Sequence, residues 1–171
     1  MEGYLLDTCA VSAFMDPGHP CHASARTEID AIEIGAPRYI SRITLAEIEF
    51  GILLDEAVTG SQNPRATAIL AQAQKYPIRE ITKHTAHEYA ELRKNVATSH
   101  LSTFTRSNRP RWIDQWVDRV TGERLQIDEN DLWICAQARE INLIVVTTDK
   151  KMVTRISTAD PLARFKLVQN V

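Results

Sequence analysis

The stretch Glu129-Asn130-Asp131-Leu132-Trp133-Ile134-Cys135-Ala136-Gln137-Ala138-Arg139-Glu140-Ile141-Asn142-Leu143-Ile144-Val145-Val146-Thr147-Thr148-Asp149 decides how the chain folds. Its first part, Glu129 to Glu140, keeps a helical period. Two residues later Leu143 to Thr147 form a short apolar run rich in β-branched side chains, which reads as a buried strand. The run stops at an acid, Asp149. Working outward, Tyr4 to Leu6, Arg38 to Ser41, Ile78 to Ile81 and Phe165 to Val168 are further brief apolar runs of this kind. Between them lie helical patterns over His22 to Ile34, Thr44 to Ala57, Arg65 to Lys75 and His84 to Val96. Parallel strands need crossover connections, so this alternation predicts an α/β fold. The expected architecture is three-layer α/β/α, with a mostly parallel central sheet and helices on both faces.

Composition agrees with a globular chain. Of 171 residues, 44% are hydrophobic and 25% charged, which excludes collagen, coiled coil and wholesale disorder. A chain of this length can bury a sizeable core without disulfide or metal staples. The expectation is therefore one domain over residues 1–171. A net charge of -2 means that contact with a polyanion must be local. No run approaches the ~18 apolar residues of a membrane span and no positive segment opens the chain, so a cytoplasmic protein is expected. Cys9, Cys21 and Cys135 are odd in number and lack CxxC spacing, which points to buried free thiols.

One segment breaks the rhythm. Residues 98–127 put a polar, Arg- and Trp-containing insert where a helix connection needs only a few residues. Trp112 to Val120 within it is expected to form a helix. On such a helix Trp112 and Trp116, four apart, would share a face and could stack on unpaired bases. Arg106, Arg109 and Arg111 would supply charge for an RNA backbone. The plainer reading is that the tryptophans anchor the insert while the arginines are solvated.

Ligands of open α/β sheets bind outside the carboxyl ends of the strands, and here those ends carry acids. Asp7 follows the first strand and Asp149 the fourth; Glu47 lies one turn into the helix after the second strand, and Asp131 opens the helix before the fourth. Each has an ordinary explanation, since Asp7 and Asp149 suit turns or caps, Glu47 suits a solvated helix face, and Asp131 suits a capping pair with Asp128. Glu49 must face away from Glu47. Brought together, carboxylates ~4 Å apart would repel by about 4 kcal/mol per pair at an effective dielectric of 20. Such a cluster needs protons or cations, and oxygen donors without His or Cys favour Mg²⁺ or Mn²⁺ over zinc. His19, His22, His84, His87 and His100 show no ligand spacing.

Three motifs occur in order along nearly the whole chain: Leu5, Leu6, Asp7, Thr8 with Ser12; Ser41, Ile43, Thr44, Ala46, Glu47, Gly51; and Asn130, Asp131, Leu132, Ile134, Ala136, Ala138 followed by Leu143, Val146, Thr147, Asp149. As a set they resemble the PIN-domain ribonucleases, most closely the VapC-type toxins of bacterial toxin-antitoxin pairs. The resemblance implies a PIN-like fold and a metal-dependent endoribonuclease. It makes Asp7, Glu47, Asp131 and Asp149 the Mg²⁺ or Mn²⁺ ligands and catalytic acids, with Thr147 as a polar neighbour. It further implies an antitoxin partner and a homodimer. The chain departs from the family at Met152, where Phe is common, at Cys9, where a small polar residue is usual, and in the length of the insert. A housekeeping RNA-processing nuclease of the same fold and a non-catalytic RNA-binding module are the alternatives. A phosphatase with Asp7 as nucleophile is weaker, because Cys9 occupies the place of the second acid of a D-x-D pair.

Overall fold

A computed structural model describes residues 2–103, 105 and 111–169. The chain runs β1 (Tyr4–Leu6), α1 (Thr8–Met15), α2 (His22–Asp30), β2 (Arg38–Ser41), α3 (Arg42–Thr59), α4 (Pro64–Ala73), β3 (Ile78–Arg79), α5 (Lys83–His100), a 3₁₀ turn (Ile113–Gln115), α6 (Glu129–Glu140), β4 (Ile144–Thr147), α7 (Lys150–Ala159) and β5 (Phe165–Leu167). The strands form one sheet in the order β3-β2-β1-β4-β5, and every pairing is parallel. This is the expected α/β architecture. Among the described residues no helix is long and apolar enough to cross a membrane.

Alternation along the central strands builds the layers. Leu5 and Val145 enter the core beneath α5, α6 and α7, whereas Leu6 and Val146 enter the opposite core beneath α1 to α4. Both faces of the sheet are thus covered, as an all-parallel sheet requires. Local chemistry sets the helix ends. Ser41 caps α3 through a 2.9 Å bond from the Ile43 N–H, and Gly60, at φ +74°, ends it in the left-handed conformation. Asn63 caps α4 just before Pro64, and Thr82 and Thr85 form a capping box on α5.

The insert is only partly a loop. Ile113, Trp116, Leu125 and Ile127 lie in the core beside Leu92 and Leu132. The helix expected over Trp112 to Val120 does not form; a single 3₁₀ turn is followed by an antiparallel bridge between Val117 and Arg124. Asp118 ends the turn by accepting the Val120 and Thr121 N–H groups on its own side chain, at 2.9 Å each. The expectation of buried thiols holds for Cys135, but Cys21 is half-buried and Cys9 is exposed.

Candidate active site

The topological switch point of the sheet lies between β1 and β4, where the strand order changes direction. Asp7 leaves β1 there. Its backbone N–H still bonds to the Val146 carbonyl at 3.1 Å, while its side chain caps α1 by accepting the Ala10 N–H at 2.7 Å. Asp149 leaves β4 and caps α7, accepting the Lys151 and Met152 N–H groups at 2.8 and 2.9 Å. Thr147 is wholly buried, and its hydroxyl accepts the Asp149 N–H at 3.0 Å and hydrogen-bonds to the Asp7 carboxyl. Asp131 forms a reciprocal capping box with Asp128 at the start of α6, so its suspected capping role is real and coexists with its place in the site.

Asp7, Glu47, Asp128 and Asp131 line one cleft of about 250 Å³, together with Thr8, Cys9, Ser12 and Ile134. Glu47 is held there from two sides. Thr8 donates its hydroxyl to one carboxylate oxygen, and the Asn130 amide donates to the other at 2.8 Å. Glu49 is exposed. Thr8 and Asn130 belong to the motifs quoted above but carry no role there, because their hold on Glu47 depends on contacts between distant segments that the sequence does not show.

The electrostatics are those of a buried acidic cluster. Burial pushes the Asp7 carboxyl up to about 6, with Asp149 adding to the rise and the Thr147 and Ala10 bonds opposing it. Burial likewise lifts Asp131 to about 7, and the charges of Asp128, Asp7 and Asp149 add to it. Asp149 therefore acts on the same field as the acids that line the cleft. The Cys9 side chain lines the edge of this cleft. Among the described residues, no Lys or Arg side chain pairs with Asp7, Glu47, Asp131 or Asp149. Nor, among them, is any group of three or more His, Cys, Asp or Glu arranged to hold a metal ion as the side chains stand. The acids form a shared negative cleft whose all-oxygen donors suit a hard divalent cation.

The aromatic and basic residues of the insert divide. Trp116 is 4% exposed and part of the core, which removes it as a base-stacking surface and corrects that expectation. Trp112 is 50% exposed, and the Arg111 guanidinium lies 4.7 Å over its ring. Arg106 and Arg109 lie outside the described residues.

The PIN domain family model matches residues 4–157. A comparison with curated protein sequences gives no match. Among solved structures, the chain resembles VapBC2 from Rickettsia felis bound to a promoter DNA fragment, with TM-score 0.64, 18% identity and coverage of 97% of this chain and 98% of that one. It also resembles DNA-bound VapBC from Salmonella typhimurium, with TM-score 0.61, 18% identity and coverage of 99% and 100%. A third is VapC20 from Mycobacterium tuberculosis, described as a sarcin-ricin loop cleaving toxin, with TM-score 0.55, 13% identity and coverage of 89% and 94%. At these identities the neighbours establish the fold. With a family model spanning nearly the whole sheet and both of its helical layers, this chain belongs to the PIN domain family.

Proposed function

We propose that the protein is a metal-dependent endoribonuclease, acting in the cytoplasm as the toxin of a toxin-antitoxin pair. The observation that carries this reading is the cleft itself: carboxylates from three separate segments line it at the carboxyl edge of a parallel sheet, Asp149 adds its charge to theirs, and among the described residues no Lys or Arg pairs with Asp7, Glu47, Asp131 or Asp149. Asp7, Glu47, Asp131 and Asp149 would hold Mg²⁺ or Mn²⁺. A divalent cation held there supplies Lewis acidity and offsets the charge that builds on a phosphodiester under attack by water. The chain's own groups do the positioning. Thr8 and Asn130 fix both oxygens of Glu47, Thr147 orders Asp7 and Asp149, and the capping bonds hold Asp7, Asp131 and Asp149 in single orientations. Arg111, tied through its carbonyl to Arg93 and so to Glu129 next to Asp128, would supply positive charge for the RNA backbone. The insert of residues 98–127 is read as part of a single domain, and the structural neighbours that are toxin-antitoxin complexes favour an antitoxin partner and a homodimer.

The test is to incubate the purified protein with total RNA, with and without Mn²⁺ or Mg²⁺, beside Asp7→Asn, and to express both forms in a bacterial host. Discrete cleavage that needs both metal and Asp7, with growth arrest relieved by a neighbouring gene product, is the expected result. Cleavage without growth arrest would replace the toxin with an RNA-processing nuclease. Binding without cleavage under any metal would reduce the protein to an RNA-binding module.

A further inference from the structure

Arg93, on α5, joins three parts of the molecule that the sequence keeps apart. Its Nη1 is 2.8 Å from a carboxylate oxygen of Glu129, the first residue of α6 and the neighbour of Asp128 in the cleft wall. The same nitrogen donates to the Tyr89 hydroxyl, which in turn donates to Glu129. Its Nη2 donates to the Arg111 carbonyl in the insert at 2.9 Å. The guanidinium also lies 5.5 Å over the ring of Trp116, the buried anchor of the insert. The base of this clamp is rigid, because Tyr89 stacks on Trp133 of α6 at 4.0 Å and 9°. One planar, five-donor group therefore fixes residues 111 and 116 on the flank of α6. Trp112 sits between those two fixed points.

Trp112 itself is only half covered, with the Arg111 guanidinium over its ring. A large aromatic ring so positioned and yet exposed, carrying a cation and tied through Arg93 to Glu129 next to Asp128 of the cleft wall, has the chemistry of a stacking surface for a nucleobase and its phosphate. Duplex bases have their faces occupied by their neighbours, whereas an unpaired base can leave its stack for a protein ring. We propose that Trp112 stacks on an unpaired base of the substrate and that Arg93 is the positioning residue that presents it. The place of that base beside the cut rests on the reading of the cleft as a ribonuclease site.

The experiment measures RNA binding separately from cleavage. In the Asp7→Asn background, fluorescence anisotropy gives Kd for a short labelled single-stranded RNA of mixed sequence and for the same sequence as a duplex. Trp112→Ala is expected to weaken single-strand binding about tenfold and to leave duplex binding unchanged, whereas Trp112→Phe retains most of the affinity. Arg93→Lys keeps a charge opposite Glu129 but lacks the planar fork, so it weakens binding in the same direction. Because Arg93 acts through Trp112, the double variant should bind no more weakly than Trp112→Ala alone. An unchanged Kd for Trp112→Ala, or additive losses in the double variant, would overturn the proposal; Trp112 is exposed, so its substitution reports even if Arg93→Lys perturbs folding. The parent protein is assayed for cleavage with Mn²⁺ in parallel. Absence of cleavage with Trp112-dependent binding intact would sink the nuclease reading and leave the stacking site standing.

Discussion

Replacing Asp7 with Asn should make the metal-free protein more stable. Asp7 is 3% exposed, and its carboxyl rises from the ordinary 3.8 to about 6. Each unit of that rise is worth about 1.36 kcal/mol, so holding Asp7 ionised in the fold costs about 3 kcal/mol. The sign follows from linkage: because the folded value is raised, the group's contribution to stability is fully present below about pH 4 and is lost as the pH climbs through about 6. Asn is neutral and of the same shape, and it can still accept the Ala10 N–H as a helix cap. Thermal unfolding without divalent metal near pH 8 should therefore place Asp7→Asn above the wild type, by about 6 to 12 °C for a chain of this size. The gap should close toward about pH 4, where both side chains are neutral. Mn²⁺ at about 100 times the wild-type Kd should raise the wild type by about 2.7 kcal/mol and the variant by about 1.4 kcal/mol or less. A destabilised Asp7→Asn at high pH, or a gap that does not change with pH, would refute the account of Asp7 as a buried acid.

Three further outcomes follow from named contacts. Asn130→Ala and Thr8→Ala each release one oxygen of Glu47, so RNA cleavage should fall by about 10- to 100-fold while the melting temperature stays near that of the parent; unchanged kcat/KM would remove both from the site. Asp118→Ala strips the shared acceptor from His100, Arg155 and two backbone N–H groups, and should cost about 3 kcal/mol or more in urea denaturation. Because backbone and His100 hydrogen bonds hold the Asp118 carboxyl well below its usual range, that stabilisation should be present above about pH 4 and be lost only as the pH falls further. Trp116→Ala should cost about 3 to 5 kcal/mol, as expected of a core aromatic; a loss confined to RNA binding would return Trp116 to the surface role assigned from its spacing.

The sheet and the acids were legible because they obey short-range rules. A strand of alternating or continuous apolar residues announces itself, and an acid directly after it stands at the edge where such sheets bind ligands, as Asp7 and Asp149 do. Helices α1 and α7 were not legible. The sequence of α1, Thr8–Met15, has only eight residues and follows β1 at once, too short to read a period from, while α7 carries Val153, Thr154, Ile156 and Thr158, β-branched residues that lower helix propensity. The helix expected from Trp112 failed for a local reason, capture of two N–H groups by Asp118, which spacing alone does not reveal. The Arg93 clamp needed tertiary structure, since Tyr89, Arg93, Arg111 and Glu129 come from three separate segments. Cys9 was misplaced because α1 starts at the sheet edge and turns this thiol outward beside the cleft.

Calorimetric titration of Mn²⁺ into the purified protein asks whether the converging acids bind a divalent cation. The wild type and Glu49→Gln, whose altered residue is exposed on the same helix as Glu47, should bind Mn²⁺ alike, and Asp7→Asn should bind at least about tenfold more weakly. Equal Mn²⁺ affinity in the wild type and Asp7→Asn would contradict the account.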